Sequence, residues 1–174
     1  MLRRVRDALL VGIPKGRPER YVLLHYAIVE MVERAAANCA NQPETGGILL
    51  GSARGPHLEI TGFTLPGPTD VRTHSRFVRQ DASHEEAAMT AWVTSNRTIS
   101  FVGEWHTHPS GKAIPSIIDR GNWSRLATKS RYPMLFLLAA PGSWKAFLVL
   151  RRGTRVIHTE LSTCERGDIG LVLA

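Results

Sequence analysis

The chain has 174 residues, 43% of them hydrophobic and 21% charged, with a formal net charge of +7. That is the length and composition of one ordinary globular domain with a core of its own. Its two cysteines, Cys39 and Cys164, lie far apart without metal-type spacing, which suits a reducing compartment and makes neither a zinc ligand.

No apolar run reaches the eighteen or so residues of a membrane span. The stretch 8–13 is too short and too soon interrupted for a secretory signal, so a cytoplasmic location is expected. The basic excess raises nucleic acid as a partner. Apart from Arg3, Arg4 and Arg6, and Arg151, Arg152 and Arg155, however, the Lys and Arg residues are scattered, and no nucleic-acid module appears. A solvated basic face, or a docking surface for an acidic protein, fits better.

Residues 1–20 hold Pro14, Gly16 and Pro18 among basic residues and predict an irregular arm or an edge strand. Leu24, Ile28, Met31, Val32, Ala35 and Ala36 recur at helical spacing and predict an amphipathic helix over 22–38. Asn41-Gln42-Pro43 ends it. The apolar run 46–51, bounded by glycines, reads as a buried strand that pairs with 57–63 through a hairpin turn at 53–56. Residues 64–80 are rich in Pro, Gly, Thr and Arg and predict a long loop, with His74, Arg76, Phe77 and Arg79 as candidate substrate contacts.

Ser83-His84-Glu85-Glu86 predicts a capping-box start for a helix to about 95, with Ala88 and Trp92 turned to the core. His25, His57, His84 and His158 read as ordinary structural or surface histidines. Ser116 predicts a helix to about 128. Three apolar segments, 133–140, 144–150 and 155–161, then form an antiparallel meander. Residues 165–174 form a tail that either packs or meets a partner. The whole is an α/β domain over 21–164, with the arm at 1–20 and the tail at 165–174 outside it.

One stretch carries chemistry: Gly103-Glu104-Trp105-His106-Thr107-His108-Pro109, then Ser116-x-x-Asp119. Residues 99–102 lead in as a short strand. Successive strand side chains alternate faces, so His106 and His108 point the same way, roughly 7 Å apart. Two imidazoles with a carboxylate from the next element make a three-ligand zinc site whose fourth position stays open, as in hydrolases. Each part has a plainer reading. A His-x-His pair can be a polar strand edge, Ser116 and Asp119 a helix start, and Glu44 a surface carboxylate. The case rests on their occurring together, in order.

The combination resembles the JAMM (MPN+) metalloprotease motif, an upstream Glu followed by His-x-His-Pro and Ser-x-x-Asp. Here these are Glu44, His106, His108, Pro109, Ser116 and Asp119. The resemblance implies a single JAMM-like domain with a curved mixed β-sheet flanked by helices, related to cytidine deaminases. It implies one Zn²⁺ per chain on His106, His108 and Asp119, Glu44 as general base and Ser116 as oxyanion donor. The implied reaction is hydrolysis of an isopeptide or peptide bond after the C-terminal tail of a ubiquitin-like or conjugated protein.

The Gly-Glu-Trp-His-Thr-His-Pro form and small size are similar to bacterial Prok-JAB enzymes, and among them to the deconjugating proteases of anti-phage CBASS operons. This implies a conjugated nucleotidyltransferase as substrate and a ubiquitin-ligation-like enzyme as operon partner. Other readings stay open. One is a peptidase that trims sulfur-carrier or phage-tail proteins. A second is a RadC-like protein, resembled at His108-Pro109-Ser110-Gly111, and a third is a metal-free MPN scaffold.

Overall fold

The computed structural model describes residues 20–166 and 170–173. The arm read at 1–20 therefore lies, except for Arg20, outside the described residues, as do the basic residues Arg3, Arg4 and Arg6. The elements run β1 (Val22–His25), α1 (Tyr26–Asn38), β2 (Gly46–Arg54), β3 (His57–Phe63), β4 (Val71–Thr73), β5 (Arg76–Val78) and α2 (Ala82–Thr94). They continue with β6 (Ser100–Thr107), α3 (Ile117–Lys129), β7 (Met134–Ala140), β8 (Ser143–Arg152), β9 (Arg155–Leu161), β10 (Thr163–Arg166) and β11 (Gly170–Leu173). Nine strands form one mixed sheet in the order β10-β11-β1-β3-β2-β6-β7-β8-β9, and β4 and β5 make a separate hairpin.

The sheet is antiparallel except where β1 meets β3 and where β6 meets β7. One of its inner strands, β7, Met-Leu-Phe-Leu-Leu-Ala-Ala, is buried at every position. Because side chains alternate, the strand serves two cores at once. Leu135, Leu137 and Ala139 face the cluster that holds Ile28, Val29 and Val32 of α1. Met134, Phe136, Leu138 and Ala140 face Trp123 and Ala127 of α3. One helix thus covers each face. The strand β6, helix α3 and strand β7 form a parallel crossover, and a ligand site in such a unit falls beyond the carboxyl end of the strand that enters it.

Three local expectations change. Residues 22–25 form a strand, and the helix begins only at Tyr26. Val22 and Leu24 alternate into the core while their backbone pairs with β3 and β11, so sheet pairing overrides the helical spacing. The cap of α2 is Asp81, whose carboxylate accepts from the Ser83 N–H at 3.0 Å, rather than Ser83. Trp92 of that helix is 39% exposed instead of core-facing, and His84 is the buried residue of α2. Of the two readings of the tail, its described strand packs: β11 pairs along β1 from Leu173 opposite Val22 to Gly170 opposite His25.

Candidate active site

The strand β6 ends at the site. Trp105 points into the α1 core, which turns Glu104 and His106 to the α3 face. His108 follows just past the strand, its N–H donating to the Ala139 carbonyl at 2.7 Å. Between the two histidines, fully buried Thr107 ties the strand to the segment that carries Glu44. Its N–H donates to the Thr45 carbonyl at 2.9 Å, and its Oγ1 accepts from the Thr45 N–H at 3.0 Å.

Asp119 arrives from the first turn of α3 through a reciprocal cap. Ser116 Oγ accepts from the Asp119 N–H at 3.1 Å, while Asp119 Oδ2 accepts from the Ser116 N–H at 2.7 Å. The carboxylate is fixed by the same bonds that start the helix.

The three side chains converge. His106 Nε2 lies 3.2 Å from His108 Nε2 and 3.2 Å from Asp119 Oδ1, and His108 Nε2 lies 3.4 Å from Asp119 Oδ2. Four ligands tetrahedrally placed at about 2.05 Å from a zinc ion stand about 3.3 Å from one another. The separations fit that spacing, with the carboxylate straddling the two rings. The group is the set of His, Cys, Asp and Glu side chains among the described residues that is suited to a metal ion. Behind it, Trp123 sits edge-on to His106 with ring centroids 6.3 Å apart and stacks on Phe136 at 4.7 Å, limiting how far the imidazole can turn.

Electrostatics follow the burial. Desolvation alone would raise Asp119, but its hydrogen bonds with His106 and His108 hold the carboxyl far below the usual carboxylate range. The hydrogen bond that His108 donates to the Asp119 carboxylate in turn raises His108 above its ordinary value, against the opposing effect of burial. Glu44, 8% exposed, is raised because burial disfavours its charge, although His106 and His108 pull it down. A carboxylate moved toward neutrality beside a candidate metal centre has the properties of a general base.

The 64–80 segment is organised rather than open. The short hairpin β4–β5 clasps Glu44. The Glu44 N–H donates to the Thr73 carbonyl at 2.7 Å, Arg72 Nε donates to the Glu44 carbonyl at 3.0 Å, and the Phe77 backbone hydrogen-bonds the Glu44 side chain. Gly46 is needed here, because a Cβ would lie 2.7 Å from the Phe77 ring and 2.5 Å from the Trp105 carbonyl. The hairpin is anchored by a buried chain in which His84 lies 2.6 Å from Thr64 Oγ1 and 2.8 Å from Asp70 Oδ2.

A cleft of about 880 Å³ opens over the triad, and His74, Arg76, Phe77 and Arg79 line it with Glu44, Ser116 and Asp119. Arg79 is bound at 2.9–3.0 Å to Glu104 and lies over the Phe101 ring. The sequence reading missed Arg72, Glu104 and the α3 side of the cleft. Glu104, inside the motif strand, was open to the alternation that selected His106. Arg72 had no signal, because it acts through a backbone atom brought near only by folding.

The chain belongs to the prokaryotic homologs of the JAB domain (Prok-JAB), whose family pattern matches residues 27–152. Among curated relatives it is similar to proteins named CD-NTase/cGAS isopeptidase. The one from Pseudomonas aeruginosa (strain BWHPSA011 / Pa011) is 39% identical over 111 residues, covering 63% of this chain and 70% of that protein. The one from Vibrio cholerae serotype O1 (strain ATCC 39315 / El Tor Inaba N16961) is 33% identical over 59% of this chain and 65% of its own length. The Escherichia coli (strain TW11681) protein is 38% identical over 55% and 60% respectively. The chain thus spans about 60–70% of the length of these relatives. A solution structure from Desulfitobacterium hafniense shares the fold, with a TM-score of 0.51 at 22% identity over 76% of this chain and 85% of that one.

Proposed function

We propose that this protein is a zinc-dependent isopeptidase or peptidase that releases a conjugated nucleotidyltransferase from its targets in bacterial anti-phage defence. The observation that carries the reading is the convergence of His106, His108 and Asp119 beside buried Glu44, in a chain whose relatives are named for isopeptidase action on CD-NTase/cGAS proteins. A cytoplasmic site of action and an operon partner resembling a ubiquitin-ligation enzyme belong to the same proposal. No helix among the described residues is long and apolar enough to cross a membrane.

One Zn²⁺ per chain, held by His106, His108 and Asp119, would supply Lewis acidity toward the scissile carbonyl and lower the pKa of the attacking water. Glu44 takes the proton from that water and passes it to the leaving amine, a role suited to a carboxyl that burial has raised. Ser116 spends an acceptor lone pair on the Asp119 N–H, so its O–H is free to donate toward the developing oxyanion. The β4–β5 hairpin holds the backbone of Glu44 on both its N–H and its carbonyl, keeping the base at a fixed distance from the ligand set.

Zinc content together with cleavage of a nucleotidyltransferase conjugate, wild type beside Glu44→Ala, tests the proposal. About one zinc per chain in both proteins is expected, with cleavage by wild type and a loss of roughly 10²–10⁴-fold in the variant. Zinc with cleavage only of sulfur-carrier or phage-tail fusions would move the substrate assignment to the processing peptidases. A protein that holds no zinc and cleaves nothing would be a binding scaffold.

A further inference from the structure

The cleft wall opposite the β4–β5 hairpin is the outer face of α3. Ile118, Asn122, Arg125 and Lys129 all line the cleft. At 100° per residue these four fall within about 60° of arc, with core residue Ala127 about 180° from Ile118. They form one stripe running away from the catalytic end of the helix. Ile118 is 74% exposed, and its neighbours Ile117 and Ile114 are 91% and 55% exposed, so the apolar end of the stripe stands in water beside Ser116 and Asp119. The far end is cationic. Asn122 Oδ1 accepts from Arg125 Nη2 and holds the guanidinium in line.

Acidic groups in the cleft are already committed. Asp119 faces His106 and His108, Glu104 binds Arg79, and Glu44 is buried under the hairpin. Among the described residues no carboxylate pairs with Arg125, Lys129 or Arg76, which lines the facing wall. The helix dipole accounts for a lysine in the last turn, but not for an arginine one turn earlier nor for exposed isoleucines at the start. An apolar foot leading to an unpaired cationic end complements an extended peptide with an apolar side chain followed by acidic ones.

We infer that the Ile118-Asn122-Arg125-Lys129 stripe is a specificity site for such an apolar-then-acidic segment of the protein substrate. The assignment of that segment to a substrate rests on the hydrolase reading above. The α-helical rise puts Arg125 about 10 Å and Lys129 about 16 Å along the axis from Ile118. Side chains of an extended chain alternate faces, so the acids that share the face of the apolar residue stand two and four positions after it, about 7 and about 13 Å on. There the long Arg125 and Lys129 side chains, tilted back toward the helix start, can meet them.

The test is fluorescence anisotropy on the zinc-supplemented full chain with three labelled peptides. Each carries one Leu, with Glu, Gln or Lys at the second and fourth positions after it. The Glu peptide is expected to bind at least about tenfold tighter than the Gln peptide and to weaken as salt rises. The charge reversal R125E/K129E, folded as judged by circular dichroism, is expected to prefer the Lys peptide, and R125Q/K129Q to lose the preference. Ile118→Ser is expected to weaken all three peptides alike.

Equal binding of the three peptides, no binding at millimolar peptide, or an unchanged order in R125E/K129E would overturn the site. So would tighter binding of a short oligothymidylate than of the Glu peptide. Affinity is read without turnover. A protein with the expected charge reversal that cleaves no conjugate would sink the hydrolase reading and leave the binding site standing.

Discussion

Ser116 caps α3 and is the proposed oxyanion donor, and the two roles can be separated. As the N-cap of α3 it accepts from the Asp119 N–H, and losing such a cap costs about 1 kcal/mol. As a donor to the oxyanion it would be worth roughly 10²–10³-fold in kcat. Ser116→Ala is therefore expected to melt a few degrees lower while losing far more activity than that destabilisation explains, as thermal denaturation and steady-state kinetics on the same preparation would show. Glu44 adds a pH signature. As the proposed base it must be ionised to act, and burial has raised its carboxyl, so the acid limb of kcat/KM should lie above the ordinary glutamate value of about 4.3. An acid limb at or below that value, or one retained in Glu44→Gln, would assign the base elsewhere.

At the scale of elements, the β4–β5 hairpin is a brace on Glu44, the proposed base. Arg72 donates to the Glu44 carbonyl and is not among the residues that line the cleft. A hydrogen bond to a charged group contributes on the order of 1.5 kcal/mol. Arg72→Ala is expected to lower kcat about tenfold with KM little changed, and Arg72→Lys to recover part of the loss. A KM effect alone would show that the residue binds substrate instead.

The brace has its own acid limit. The Asp70 side chain is buried and held below its ordinary value: burial opposes ionisation, but the His84 hydrogen bond and the N–H groups of Asp81, Gln80 and Gly67 outweigh it. A group whose folded pKa is depressed contributes stability above its unfolded value, about 3.9, and that contribution is lost as pH falls through the folded value. Acid unfolding should therefore steepen below about pH 4, and Asp70→Asn should flatten it. His84→Ala removes one hydrogen bond from that carboxylate while its backbone donors remain, which costs on the order of 1.5–3 kcal/mol.

Across the whole molecule, the sheet depends on its last strand. Val22 and Leu24 are buried in the main core, and their strand lies between β3 and β11. Removing residues from 163 onward would turn β1 into an open edge and uncover a strand with a ready set of unpaired backbone groups. Such a truncation is expected to melt well below the full chain and to aggregate, as scattering during a thermal ramp would show. Loading the metal site should act in the opposite direction. A ligand at 100 times its Kd stabilises by about 2.7 kcal/mol, about 5–10 °C for a domain of this size. EDTA should remove that increment from wild type and leave His106→Ala unmoved.

Much of the site could be read before folding, because its chemistry is local. His106 and His108 share a face through strand alternation, and Ser116 and Asp119 are joined by the cap of a single helix, so residue type and short spacing determine them. The buried runs of β2 and β7 were equally plain, as was the start of α3. What sequence could not decide depended on distant partners. Residues 22–25 have helical spacing, yet two neighbouring strands claim their backbone. Trp92 looked like core but had no layer above it, since α1 and α3 already cover the sheet. The distance of Glu44 from the ligand set, the brace formed by Arg72 and Thr73, and the apolar-to-basic stripe along the cleft exist only once strands far apart in the chain lie side by side. Local chemistry is written in short-range pattern, while its placement depends on hydrogen bonds and packing between segments that the chain keeps apart.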